Sequence, residues 1–454
     1  MTIEPGSLTR LGRRQRWRAA RQQGVGLLKK SCFSWLGPGL ITGASDDDPS
    51  GIATYSQAGA QLGFGLLWSM LFTIPLMAAF QEICARIGRT TGRGLARNMR
   101  LNYSAWIVNP LVVLLVLTNI VNLGADINAM GAALGMLIGG PRVVYAIGFT
   151  VASLVLQVWA SYARYTAILR WLAMVLVLYV AATFAVRPHW GEVAWATFIP
   201  QISFSGDYLA VLVAVLGTTI SPYLFFWQAS LESEETKIAP GEEALLKAPE
   251  RSRAEFRRIR LDTAVGMVLS NFIGFCIMVC AAATLHEHHI TEITSADQAA
   301  QALGPIAPPM VLLGHTFSVA PLLFALGIIG GGLLAIPVLA GSAAYAVGEI
   351  FRWPVGMDRL PMKAKGFYGV LIVSTLLGAG MVLTPLNPMK ALVWAAIANG
   401  VAAVPIMILI MMMFSNRRVM GRFVQISKPL RVTGWVATAA MTAAAVGMFA
   451  TLGR

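Results

Sequence analysis

The chain has 454 residues, 56% of them hydrophobic and only 12% charged, with a formal net charge of +14 and a mean hydropathy of +0.66. Soluble domains carry about a quarter charged residues, so this composition excludes an ordinary soluble globular protein and points to a membrane protein. Recognition sites for nucleic acid are not required by the positive excess, because its placement along the chain is that of a topology signal.

A basic segment, 1–32, reads as a cytoplasmic N-terminal stretch ahead of a single transmembrane domain, 33–454. The first apolar run begins near Cys32 and carries acids where a secretory leader has a small-residue cleavage site, so it reads as a retained span. Apolar runs of roughly 20 residues, the length a bilayer core requires, then recur to the end. They predict an all-α membrane protein of eleven spans: 33–58, 63–88, 105–138, 143–161, 165–186, 208–230, 259–285, 314–346, 366–386, 389–414 and 431–452. The third and eighth are long for one crossing and are expected to tilt or extend beyond the bilayer. Cys32, Cys84, Cys276 and Cys280 fall in or beside apolar runs with no zinc or disulfide pattern, and read as buried free thiols.

Assigning the 35 Lys and Arg to alternate sides of these spans puts 31 on one side and 4 on the other, the four being Arg142, Arg187, Lys390 and Arg454. Such a bias places the N-terminus in the cytoplasm and, with an odd span count, the C-terminus outside. The longest cytoplasmic connection, Glu232 to Arg260, has mixed charges and reads as a partly helical, solvated loop. The external His286-Glu287-His288-His289 run lacks the HExxH spacing of a zinc site and reads as a wet loop.

Two spans are interrupted by polar groups. In the first, GASDDDPSG (Gly43 to Gly51) sets Asp46, Asp47 and Asp48 where lipid-facing residues belong. A carboxylate at a helix centre costs about 2.5–3.5 kcal/mol, so three facing lipid would cost on the order of 8–10 kcal/mol. They must face a cavity, a counter-ion or each other. Pro49 removes a backbone donor and Gly51 tolerates unwinding. In the sixth span, Pro222 follows Thr218, Thr219 and Ser221, and the freed carbonyls there need an ion, water or another helix. Spans one and six are the first members of two five-span halves, about 33–186 and 208–414, with 431–452 as an additional helix. Matched interruptions of this kind point to the binding site of an inverted-repeat transporter.

GPGLITGASDDDPSGIATYSQAGAQLGF (Gly37 to Phe64), Ser221-Pro222-Tyr223 and LFALGIIGGG (Leu323 to Gly332) resemble the NRAMP family of divalent-metal transporters. The resemblance covers nearly the whole chain and is most specific in the first span. It implies the LeuT-type fold of two inverted five-helix repeats, with broken helices one and six, plus an additional helix. It also implies a metal-binding role for Asp48 and a carbonyl ligand at Thr218. The family's binding Asn falls on Gly51, its binding Met on Ser221 and its sixth-helix His on Tyr223. Asp126 in the third span matches a family acid, while the acid expected three positions later is Ala129. These departures replace a soft thioether by hard oxygen and favour Mg²⁺ or Mn²⁺. A missing Asn side chain leaves room for the waters that Mg²⁺ retains, so the pattern resembles the magnesium-transporter-like branch. Loss of the His and of the second acid weakens the expectation of proton coupling. Asp126 reads either as part of an ion or proton route or as a satisfied buried acid, Gln228 as lining an inner vestibule, and Asp46 and Asp47 as vestibule acids.

The leading expectation is therefore a secondary transporter or facilitator that imports divalent cations across the cell (inner) membrane by alternating access. The alternative keeps the fold but carries a small organic solute coupled to an ion. No enzyme motif is found, no cofactor is implied beyond the transported cation, and no obligate protein partner is indicated; the other partner is the lipid bilayer.

Overall fold

A computed structural model describes residues 38–159, 178–238, 243–304, 310–312, 315–317, 319–357 and 359–451. The basic 1–32 segment, Gly37, Cys32 and most of the fifth predicted span lie outside the described residues.

The first span begins as α1 (Pro38–Ala44), breaks over 45–48, and resumes as α2 (Pro49–Leu62). Asp48 is the N-cap of α2, in an extended conformation, and Pro49 occupies its first turn. Asp-Pro is a strong helix start, because the side chain accepts an otherwise orphaned N–H and Pro supplies a pre-set φ where no donor is needed. A short 3₁₀ turn leads to α3 (Leu67–Thr91), then α4 (Leu95–Asn102), α5 (Ala105–Ile138), α6 (Arg142–Trp159) and α7 (Leu178–Val186). The amphipathic α4 was not among the predicted spans, being too short to cross.

After α8 (Trp190–Phe198), the sixth span is likewise split, into α9 (Gly206–Thr219) and α10 (Pro222–Ile238). The Ser221 hydroxyl donates back to the carbonyls of Gly217 and Thr218, at 2.8 Å each, satisfying acceptors freed by Pro222. The chain continues through α11 (Ser252–Ala281), a π-turn over Ala282–His286, α12 (Ala296–Gln301) and a hairpin of β1 (Met310–Leu312) with β2 (His315–Phe317). It ends in α13 (Val319–Ile350), α14 (Lys365–Gly380), α15 (Pro388–Phe414), the short α16 (Arg417–Met420) and α17 (Phe423–Ile426), and α18 (Lys428–Thr451). The third and eighth spans are indeed long, at 34 and 32 residues.

Among the described residues, nine segments are long and apolar enough to cross a membrane, against the eleven expected. The first of the nine, Pro49–Thr91, holds both α2 and α3, which correspond to parts of the first and second predicted spans. The fifth contributes only Leu178–Val186 to the described residues.

Burial sorts these helices. The apolar window of Gly206–Lys237 is 94% buried, whereas that of Arg142–Trp159 is 22% buried, so the broken sixth span is central and α6 peripheral. Val144, Ile147, Val151 and Val155 stand exposed along α6 at helical spacing, a face suited to lipid. In the centre, glycines let backbones meet: Gly217 of α9 packs on Ala396 and Gly400 of α15, and Gly43 of α1 packs on Gly266 of α11.

The 232–260 connection is partly helical and mostly exposed or half-buried, as expected, but some of its charges are buried in ion pairs. α10 extends to Ile238 and α11 starts at Ser252, and Glu232 is fully buried. Its carboxylate meets Arg258 at 2.6 Å, and Arg258 also reaches Glu235 and Glu255 at 3.3 and 3.1 Å. Arg89 of α3 joins Glu255 at 3.0 Å, and Glu82 pairs with Arg86 and, at 3.3 Å, with Arg260. Part of the mixed charge there ties α3, α10 and α11 together, while Arg253, Arg257 and Arg260 stay exposed. The histidine run matches its expectation: His286 to His289 are exposed, with His286 and His288 bound to the backbone carbonyls of Ala60 and Thr284. Cys84, Cys276 and Cys280 are buried free thiols.

Candidate cation site

The two breaks meet. Asp48 is almost completely buried, and its Oδ1 accepts from the Gly51 N–H at 2.7 Å and the Ser50 hydroxyl at 2.8 Å. Its Oδ2 accepts from the Tyr223 hydroxyl, at the start of α10, at 3.1 Å. The Ser50 backbone N–H also acts on this carboxylate, and of its two oxygens Oδ1 takes two of these hydrogen bonds and Oδ2 one. The geometry fixes the orientation of the carboxylate at the start of α2.

Thr218 and Ser221 lie on the opposite wall, both buried. The Thr218 carbonyl already accepts from Ser221, and an acceptor carbonyl has two lone pairs, so one remains. Ser221 spends its proton on those carbonyls and keeps its oxygen lone pairs. Gly51 sits between the walls: a Cβ there would lie 3.2 Å from Thr218 Oγ1, 3.3 Å from the Asp46 carbonyl and 3.4 Å from Asp48 Oδ1. The space expected to hold waters beside Gly51 is thus edged closely by three oxygens.

Asp46 and Asp47 are buried on the α1 side of Asp48 and share one partner, the Ser270 hydroxyl of α11, at 2.7 and 3.0 Å. Asp126 of α5 is fully buried and both of its oxygens lack a hydrogen bond of normal geometry. The Ser50 N–H, in the first turn of α2, and the Asp48 charge both act on it. Asp126 therefore belongs to the same neighbourhood as the α2 N-terminus. Gln228 is fully buried rather than lining an open vestibule, and its amide donates to Thr263 Oγ1 at 2.8 Å. Above it, the Gly39 N–H of α1 donates to Asp262 at 2.6 Å, so α1 and α11 close over this side.

On the far side, a cavity of about 310 Å³ is lined by Ala129, Arg142, Asp297, Phe324, Ile328 and Asn387. Ala129 stands one turn along α5 from Asp126, so this cavity ends near the acid. Sequence reasoning missed Ser50, Ser270 and the close fit of α13, where a Cβ on Gly331 would lie 2.7 Å from the Asp47 carbonyl. Only the GGG run in α13 signalled that close approach; an isolated serine in an apolar helix gives no signal.

Among the described residues, no three His, Cys, Asp or Glu side chains converge as a metal cage. The oxygens this junction offers are carboxylate, carbonyl and hydroxyl. The donors fit a hard, partly hydrated ion.

A family model described as natural resistance-associated macrophage protein-like, Nramp, matches residues 39–451. The chain belongs to the Nramp family. This Nramp chain is similar to the divalent metal cation transporter MntH of Klebsiella pneumoniae (strain 342), with 26% identity over 420 residues, 90% of this chain and 92% of that one. It is similar also to MntH of Bacillus subtilis (strain 168), with 24% identity over 420 residues, 90% and 89% of the two chains. Among solved structures, the Eremococcus coleocola manganese transporter matches with a TM-score of 0.70 at 16% identity, over 90% of this chain and 85% of that one. Mhp1, a nucleobase-cation-symport-1 family transporter, matches with a TM-score of 0.56 at 15% identity, over 92% of each. At such identities the structural matches speak to fold alone, and the fold is the all-α, LeuT-type membrane architecture. Nramp proteins are transporters, and this chain is not an enzyme.

Proposed function

We propose that this Nramp chain imports hydrated divalent cations, Mg²⁺ or Mn²⁺, across a bacterial cell membrane by alternating access, without obligatory proton coupling. The observation that carries this reading is Asp48: a buried carboxylate oriented by Gly51, Ser50 and Tyr223 at the junction of two broken helices, where Thr218 and Ser221 add buried oxygens. Asp48, the Thr218 carbonyl and Ser221 serve as protein ligands, and Gly51 permits the close approach of the two walls. Asp46 and Asp47 are acids next to the path. Tyr223 orients Asp48, Asp126 lies on the route from the outer cavity, and Gln228 marks the closed inner side. Divalent metal is what the names of the MntH relatives state of those proteins; the preference for the magnesium-transporter-like branch rests on the replacement of thioether by hydroxyl at Ser221. Eleven crossings in two inverted halves, 33–186 and 208–414, with the N-terminus in the cytoplasm and the C-terminus outside, complete the proposal.

Spacing at Gly51, with oxygens 3.2–3.4 Å from a Cβ position, suits an ion better than an organic solute. The test is uptake of Mg²⁺ and of Mn²⁺ into liposomes with internal pH recorded, for wild type and Asp48→Ala. The expected result is influx that depends on Asp48 and brings no acidification. Absence of divalent flux in wild type would overturn the reading and turn attention to organic solutes.

A further inference from the structure

Where α3, α10 and α11 meet, basic side chains are spent in ion pairs: Arg86, Arg89, Arg258 and Arg260 all face glutamates. The segment between α13 and α14 uses its charge differently. It carries Arg352, Arg359, Lys363 and Lys365 against a single acid, Asp358. Arg352, Lys363 and Lys365 are exposed, and among the described residues they take part in none of the ion pairs.

The same segment turns large apolar side chains outward. Phe351 and Met362 are 63% and 77% exposed, and Trp353 and Leu360 are 39% and 49% exposed. Their backbone is tied down on both sides. The Met357 N–H donates to the Tyr345 hydroxyl of α13 at 3.2 Å, and the Tyr368 hydroxyl of α14 donates to the Arg359 carbonyl at 3.0 Å. The Phe351 and Trp353 rings stack with centroids 5.1 Å apart. Trp353 lies so close to Gly366 of α14 that a Cβ there would clash with its ring, which brings the aromatic pair to the helix start where Lys363 and Lys365 stand. Arg352 has a φ of +59°, a left-handed conformation usually left to glycine and here filled by a cation.

Water suits these cations and not the rings, whereas hydrocarbon suits the rings and not the cations. The headgroup layer of a bilayer satisfies both, since aromatic rings settle at that boundary and basic side chains meet phosphate there. A segment that joins the end of one span to the start of the next lies at that depth.

We propose that the 351–365 segment is a binding surface for an anionic phospholipid. Arg352, Lys363 and Lys365 take the headgroup phosphate, and Phe351, Trp353 and Met362 cover the glycerol and first acyl carbons. The charge selects an acidic lipid over a zwitterionic one, because a choline group would bring further positive charge to a surface that lacks negative charge. In the proposed orientation the lipid comes from the cytoplasmic leaflet. The inference does not depend on which solute the chain carries.

The experiment titrates the full chain, purified in detergent and stripped of lipid, with phosphatidylglycerol and with phosphatidylcholine, and counts bound lipid by native mass spectrometry. Wild type is expected to bind its first phosphatidylglycerol at least about tenfold more tightly than phosphatidylcholine. The double variant Arg352→Gln, Lys363→Gln is expected to lose that preference. Arg417→Gln with Arg418→Gln removes the same charge from exposed positions elsewhere and is expected to keep it. Equal binding of the two lipids by wild type overturns the proposal, as does equal loss in the two double variants, which would reduce the effect to diffuse attraction. Displacement of the lipid by soluble glycerol phosphate would assign the surface to free phosphate and overturn the lipid reading too.

Discussion

Tyr223 donates to Asp48 at 3.1 Å from the position where the family resemblance has a histidine. An ordinary phenol, with a pKa of about 10, keeps its proton at neutral pH, whereas imidazole titrates near 6.5. Tyr223→His is therefore expected to give divalent flux a new pH-dependent step near pH 6.5 that wild type lacks, read by uptake at a series of pH values. At the facing position, Ser221→Met exchanges a hard oxygen for a soft sulfur and removes the hydroxyl that bonds Gly217 and Thr218. It should raise the ratio of Mn²⁺ to Mg²⁺ flux by on the order of tenfold, about 1.4 kcal/mol of discrimination, measured by competition uptake. Asp48 was legible in the sequence because Asp-Pro-x-Gly is a local signal, an N-cap and a helix start within four residues. Ser270 was not, since it meets Asp46 from 224 residues away and nothing in its own helix distinguishes it.

At the scale of elements, the charges of α3, α10 and α11 decide how three helices stay together. Arg258 is partly exposed, yet Glu232, its partner at 2.6 Å, has 1% side-chain exposure. Arg258→Ala leaves that carboxylate buried without its main counter-charge, a change that typically costs about 3–5 kcal/mol, discounted here because Arg89 also acts on Glu232. A clear fall in the thermal unfolding midpoint in detergent is expected. Lys390→Ala is the control, because Lys390 and Glu292 form an ion pair with both side chains more than half exposed. Such pairs are worth about 0–1 kcal/mol, and the midpoint should barely move. Equal effects of the two substitutions would refute this account. The sequence displayed these charges as a solvated loop because composition records which residues are charged; it does not record that α10 and α11 bring Glu232 and Arg258 to one buried spot.

At the scale of the molecule, apolar side chains point outward along α6 and also along α18, where Val432, Val436 and Phe449 are exposed, and the helices interrupted by polar groups are inside. The proposed orientation has a direct check in a Cys32→Ser background, since Cys84, Cys276 and Cys280 are buried and give little background. In intact cells, Lys390→Cys should react with a membrane-impermeant maleimide and Arg253→Cys should not; both positions are exposed. The opposite pattern would invert the topology.

Hydropathy and the Lys/Arg asymmetry determined, from sequence alone, a many-spanning helical membrane protein, because the bilayer imposes its thickness and charge rules on each segment separately. The breaks at Asp48-Pro49 and Ser221-Pro222 were equally readable, because caps and prolines act within one turn. What occupies the space beside each break was decided only in three dimensions. Thr218 beside Gly51, Ser270 between Asp46 and Asp47, Gly331 on the Asp47 carbonyl and the burial of Gln228 all depend on packing between helices distant in the chain. Local patterns set which helix unwinds; tertiary contact sets which oxygens face the charge it exposes.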